Sequence, residues 1–164
     1  MGRTISPLSD KDVEVLSYIF RDWSQLHADG RLVIRPNRFW THGGSYWRMP
    51  AMAPELYADL RKSDLIILKG DLNGRKLTGD VMWDTTTPFA EAIGPLAKSG
   101  EGLRLLQLRT CKADTVVGLK PGEDERLKKT EGGGGEGGPR KWAWSGKWAV
   151  CQYSDALREG AACL

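Results

Sequence analysis

Apolar residues near the N-terminus recur three and four positions apart: Val13, Leu16, Phe20 and Trp23, with Ile19 and Leu26 widening the stripe. That spacing predicts an amphipathic helix. Ser9-Asp10-Lys11-Asp12 reads as its start, with Ser9 as the cap and carboxylates in the first turn, and Asp29-Gly30 as its end. Leu32-Val33-Ile34 predicts a short strand before Pro36, and positions 36–50 read as a long aromatic loop centred on Gly43-Gly44. Loops of that length are more often functional than idle. Pro54 suits the first turn of a second helix, whose buried face is Leu56, Tyr57 and Leu60.

The pattern then changes. Asp64-Leu-Ile-Ile-Leu-Lys69 has apolar residues without alternation, which predicts a strand covered on both faces, as in a parallel α/β sheet. The helix before it fits a crossover connection. Leu103–Leu108, ending at Arg109-Thr110-Cys111-Lys112, and Lys147–Tyr153 predict two more strands. Between them Glu131–Gly138 holds six glycines in eight residues. No strand precedes this run and no helix follows it, so it reads as a flexible surface insertion over 131–139 rather than a phosphate loop.

Composition narrows the classes. The 164 residues suit one domain, and 40% hydrophobic with 27% charged residues is globular usage. A net charge of +3 does not point to nucleic acid. No apolar run approaches the roughly 20 residues of a membrane span. The segment from Met1 to Pro7 has no signal-peptide core, and Gly2 next to Arg3 is a poor myristoylation start. Cys111, Cys151 and Cys163 have no metal-knuckle spacing and read as thiols of a reducing cytoplasm. His27 and His42 are too far apart for a helical metal pair. Of the seven tryptophans, Trp40, Trp47, Trp83, Trp142, Trp144 and Trp148 lie among Gly, Arg and Thr. Packing under loops is their first reading, and stacking on a sugar or base the second.

Ligands of open α/β sheets bind beyond the carboxyl ends of the strands. Two polar clusters occupy such ends: Lys69, Asp71, Asn73, Arg75 and Lys76 after the first strand, and Arg109, Thr110 and Lys112 after the second. Arg offers a planar fork for phosphate oxygens, Lys a mobile charge, and Gly70 and Gly74 permit close backbone approach. Asp71 and Asn73 suit sugar hydroxyls or the steering of basic side chains. Lys69–Lys76 therefore reads as an anion-binding segment, against a solvated loop as the alternative. Asp80 and Asp84 have no partners at metal-ligand spacing and read as surface or capping residues.

Taken together, the segments Leu68–Asp80 and Arg109–Lys112 resemble the damage-control phosphatases, subfamily III. That family's substrate-binding block, Asp-Leu-Asn-x-Arg, falls on Asp71, Leu72, Asn73, Gly74 and Arg75, and its Arg-Thr-x-Lys motif on Arg109, Thr110, Cys111 and Lys112. Met49–Tyr57, Trp83 with Pro88-Phe89, Val117–Gly122 and Ser145–Trp148 extend the similarity over nearly the whole chain. The resemblance implies the C-terminal part of a Rossmann-like three-layer α/β/α sandwich with a mostly parallel sheet, a single partial domain over 1–164. It further implies a metal-dependent phosphatase of sugar phosphates and related phosphometabolites in the cytoplasm, with Lys112 as a substrate contact. Arg75, Lys112 and Lys76 would then neutralise the phosphoryl charge.

Several features depart from the family. Its metal (manganese, cobalt or nickel) is held by an Asp-Asn pair and a further Asp, all upstream of the block. This sequence has no Asp-Asn dipeptide, and Asp84-Thr85-Thr86 lies after the block, so no residue here inherits a metal or catalytic role. The expected partner is a small phosphorylated metabolite, without nucleic acid or membrane. Two alternatives stand beside hydrolysis: a non-catalytic truncated fragment or phosphometabolite-binding module, and a protein carboxyl methyltransferase using S-adenosylmethionine. The second lacks the glycine-rich turn after a first strand that such cofactor binding favours.

Overall fold

The structure is a computed structural model that describes residues 8–156. The features read in Met1–Pro7, and Cys163, lie outside the described residues. The chain divides into two units, 1–37 and 38–164.

In the first unit the predicted helix is α1, Asp10–Ala28. Its start is a reciprocal capping box. The Ser9 hydroxyl accepts the Asp12 N–H at 3.2 Å, and the Asp12 carboxylate accepts the Ser9 N–H at 3.1 Å. The Ser9 hydroxyl also donates to the Asp12 carboxylate at 2.6 Å, and that bond first, with the Ser9 N–H second, holds the Asp12 carboxyl below its ordinary range. Leu32–Ile34 is not a strand. The Leu32 N–H bonds to the Leu26 carbonyl at 3.0 Å, and its carbonyl lies 2.8 Å from His27 Nδ1. The helix end has taken the groups a ladder would need.

In the second unit, the aromatic loop contains two single 3-10 turns, Arg38–Thr41 and Tyr46–Arg48. The short helix α2, Met49–Met52, follows, then α3, Pro54–Leu60, with Pro54 in its first turn as expected. The strands are β1, Ile66–Lys69, β2, Arg104–Thr110, and β3, Ala149–Asp155. Helices α4, Asp71–Leu77, and α5, Phe89–Ala92, lie between β1 and β2, and α6, Glu123–Lys128, lies between β2 and β3. The class is α/β, as read from the sequence. β1 pairs parallel with β2, Ile66 opposite Leu105 and Lys69 opposite Leu108. β3 runs antiparallel on the other side of β2, with Thr110 opposite Ala149.

Burial along β1 alternates, so the expected cover on both faces is corrected. Ile66 and Leu68 pack against a core of Phe39, Tyr46, Met49, Leu77, Phe89 and Leu105, among others. Ile67 faces the other way, opposite Leu106, and is 55% exposed; Leu108, on the same face of β2, is 39% exposed. The physical reason is that both hydrophobic clusters of the described residues gather on the Leu105 side of the sheet. The second cluster, around Cys111, Val116, Leu127 and Trp142, takes in Val150 of β3.

The glycine-rich run folds back on α6. Gly135 N–H bonds to the Lys128 carbonyl at 3.0 Å, and Trp142 N–H to the Gly133 carbonyl at 3.3 Å. A Cβ at Gly134 would stand 1.9 Å from the Pro139 carbonyl oxygen, so close backbone packing explains the glycine there. The tryptophans mostly pack, with indole N–H groups capping carbonyls: Trp47 to Leu77 at 2.7 Å and Trp83 to Thr78 at 2.8 Å.

Candidate functional site

Parallel pairing sets the carboxyl ends of β1 and β2 side by side, and the Gly70 N–H prolongs the ladder to the Leu108 carbonyl at 2.8 Å. Gly70 has φ 104° and ψ 162°, a region open essentially to glycine alone. The chain turns there from β1 into α4. The block read as an anion-binding segment is thus a helix, and its periodicity sorts the side chains.

Asp71, at the start of α4, joins the two motifs. Its Oδ1 accepts Arg109 Nε at 3.0 Å and the Lys112 backbone N–H at 3.1 Å. Arg109 also donates to the Thr115 carbonyl at 3.1 Å and the Ala113 carbonyl at 3.0 Å. Its side chain is 1% exposed, against 15% for Asp71. Within the polar cluster read after the second strand, Arg109 is thus an internal clamp that shapes the loop after β2. Gly74 makes room for it, since a Cβ there would lie 2.4 Å from Arg109 Cδ and 3.0 Å from Gln107 Nε2.

The inner face of α4 carries Asn73, Lys76 and Leu77, spaced three and four apart. The Asn73 amide donates to the Lys69 carbonyl at 2.7 Å and accepts the Tyr46 hydroxyl at 2.6 Å. Lys76 is buried. Its ammonium donates to the His42 carbonyl at 2.6 Å and the Trp40 carbonyl at 3.3 Å, and lies 4.8 Å from the Tyr46 ring centre. Lys76 thus fastens the aromatic loop to α4, and the phosphoryl-neutralising role expected for it is corrected. Asn73 likewise has both ends of its amide engaged inside the protein rather than turned to a sugar.

On the outer side Leu72 is exposed, and Arg75 forms a two-point pair with Asp80 at 2.7 and 2.8 Å. That hydrogen-bonded pair raises the Arg75 pKa and lowers that of Asp80. Cys111 is fully buried between two backbone bonds, its N–H to the Trp148 carbonyl and its carbonyl to the Gly146 N–H. Burial pushes its thiol above the ordinary value. Thr110, Lys112 and Lys69 are exposed. The cationic residues not turned inward at these strand ends are thus Lys69, Arg75 and Lys112, in the two segments that Asp71, held by Arg109, ties together. Such an arrangement can bind and orient an anion; it holds no evident nucleophile.

Tyr46 and Asp80 are contributors that the sequence reading did not single out for the site. The aromatic loop was a signal for Tyr46. The Gly79-Asp80 step was one for Asp80, because both residues take positive φ. Among the described residues no three His, Cys, Asp or Glu side chains come together as a metal-binding group, so the residues present do not fit the divalent metal. Asp84 closes its own turn, its Oδ1 accepting the Thr86 N–H at 2.8 Å and hydroxyl at 2.7 Å. A cavity of about 430 Å³ opens beside it, lined in part by Trp83, Asp124 and Arg140. Of its polar groups, Arg140 is paired with Asp114, and Asp124 with Trp142 and Lys128. No helix of the described residues is long and apolar enough to cross a membrane.

Comparison with known proteins bears on the same residues. The family model described as "Damage-control phosphatase ARMT1-like domain" matches residues 1–127. Proteins named damage-control phosphatase ARMT1 from Macaca fascicularis and Homo sapiens are 41% and 39% identical over 136 residues, 83% of this chain and 28% of each relative. The Xenopus laevis protein of that name is 38% identical over 154 residues, 94% of this chain and 32% of the relative. The chain therefore spans under a third of the length of these relatives.

Proposed function

The chain belongs to the damage-control phosphatase ARMT1-like domain family, and from that membership we propose that it carries the substrate-binding part of a metal-dependent phosphatase acting on sugar phosphates and related damaged phosphometabolites. The observation that carries this reading is the Asp71 junction. One carboxylate oxygen bonds both to Arg109 and to the Lys112 backbone, so two motifs some forty residues apart form a single rim. Asp71, Leu72, Asn73, Gly74 and Arg75 supply one side and Lys112 the other. Arg75 and Lys112 meet the phosphoryl oxygens, Arg through its fork and Lys as a point charge. Asn73 acts indirectly, fixing α4 to Lys69 and Tyr46. A cytoplasmic setting belongs to the same proposal, and the free thiols Cys111 and Cys151 fit it.

Manganese, cobalt or nickel belongs to the proposal for a protein of the relatives' full length; no step is assigned to it here, because the donors among the described residues do not gather. The same observation favours a second reading for the chain alone, as a phosphometabolite-binding module that binds without turnover.

Calorimetry with a hexose 6-phosphate tests the proposal on the chain itself. Binding is expected in the parent, with a loss of about tenfold or more in Lys112→Ala, since a charge-assisted contact contributes about 1.5–3 kcal/mol. Equal affinity in parent and variant would remove Lys112 from the site. Turnover by the isolated chain with added manganese would overturn the module reading and leave the phosphatase reading standing.

A further inference from the structure

Among the described residues, Arg75 is held along one edge only. Its Nε donates to Asp80 Oδ1 at 2.7 Å and its Nη2 to Asp80 Oδ2 at 2.8 Å. The terminal edge, made of Nη1 and the second Nη2 hydrogen, is not engaged by these two bonds, and the side chain is 37% exposed. A guanidinium gripped along its side by a carboxylate can still offer a two-point fork at its end.

Asp80 reaches this position at a conformational cost. It has φ 58°, the one non-glycine residue with positive φ among the described residues. Such backbone costs about 1 kcal/mol or more and persists only where its surroundings impose it. Here they do. The Asp80 N–H bonds to the Arg75 carbonyl at 2.7 Å. The preceding Gly79 is also left-handed, and a Cβ on it would stand 2.9 Å from the Trp47 ring. The turn is thus wedged so that the carboxylate faces the guanidinium. Arg75 stands one helical turn after Asp71 on α4, which sets the pair beside the junction of the two motifs.

We propose that Asp80 is a positioning residue for substrate binding: it fixes the Arg75 guanidinium so that its terminal edge presents two N–H donors to the phosphoryl group. This rests on the reading of the site as one for phosphorylated substrates. Pre-fixing the fork lowers the ordering cost that a free arginine would incur on binding. Asp80 occupies the side edge and so leaves the terminal edge open to the phosphoryl group, and tighter binding without its carboxylate would show that its charge opposes the anion instead.

The test is a double-mutant cycle on this chain, titrated calorimetrically with a hexose 6-phosphate and with inorganic phosphate. Asp80→Asn keeps the shape and tolerates left-handed backbone. Asp80→Gly removes the carboxylate and relieves the strain. Each is expected to weaken hexose 6-phosphate binding about tenfold, a change of about 1.4 kcal/mol, and Arg75→Ala at least as much. Adding Asp80→Asn to Arg75→Ala should produce no further loss, because Asp80 acts through Arg75. Unchanged or tighter binding in both Asp80 variants overturns the proposal, as does a full additional loss in the double variant. If Arg75→Ala weakens binding and the Asp80 variants do not, only the role of Asp80 fails. If the parent chain binds neither ligand, or Arg75→Ala binds like the parent, the substrate-site reading fails with it.

Discussion

Arg109 has five N–H donors, and three of them end on Asp71 and on the carbonyls of Thr115 and Ala113. Lysine would keep the charge at this site but not the planar fork, so it cannot reach all three acceptors. The Thr115 carbonyl would then be left buried without a donor, at a cost of about 1–3 kcal/mol; the Ala113 carbonyl keeps the Thr115 N–H at 2.9 Å, and the weakened contact to Asp71 adds the rest. Arg109→Lys is therefore expected to lower stability by about 2–4 kcal/mol, read as a lower urea midpoint by tryptophan fluorescence. An unchanged midpoint would show that the clamp contributes nothing net. The motif itself was legible from residue order, but the direction of its arginine was not, because burial depends on Gly74 and Asp71, both more than thirty residues earlier, and on how the loop after β2 turns its carbonyls inward. The inward direction of Lys76 and Asn73 was not legible for a related reason. Taken as a loop, the block gave them no face; taken as a helix, their spacing with buried Leu77 turns both inward.

At the scale of elements, the close approach of α4 to β2 depends on Gly74. Alanine normally gains about 1 kcal/mol over glycine inside a helix. Here its Cβ would stand 2.4 Å from Arg109 Cδ and 3.0 Å from Gln107 Nε2, and Arg109 is pinned by its hydrogen bonds. Overpacking of this kind costs about 1–3 kcal/mol. The clash should win, and Gly74→Ala should destabilise by about 1–2 kcal/mol, net of the propensity gain, in the same urea titration. A stabilised variant would mean that α4 can slide on β2. The elements legible in the sequence were those whose own residues close them, such as α1 with its Ser9–Asp12 box. Leu32–Ile34 was not among them, because its β propensity lost to bonds from Leu32 to the Leu26 carbonyl and the His27 ring at the end of α1.

At the scale of the molecule, the α/β class followed from an apolar run, a helix before it and two further strands. Which side of the sheet the core would occupy did not, since β1 is apolar on both sides. In the described residues the core lies against Leu105, while Ile67 and Leu108 face outward. An exposed apolar strand at the edge of a sheet favours association with other chains. Because Ile67 is 55% exposed, Ile67→Lys should change unfolding free energy by no more than about 0.5 kcal/mol, the range of ordinary surface substitutions. The same substitution should reduce concentration-dependent self-association, measured by sedimentation velocity on parent and variant. A loss of several kcal/mol would instead place Ile67 in a packed interior, and the sheet would then be covered on both faces, as its sequence first suggested.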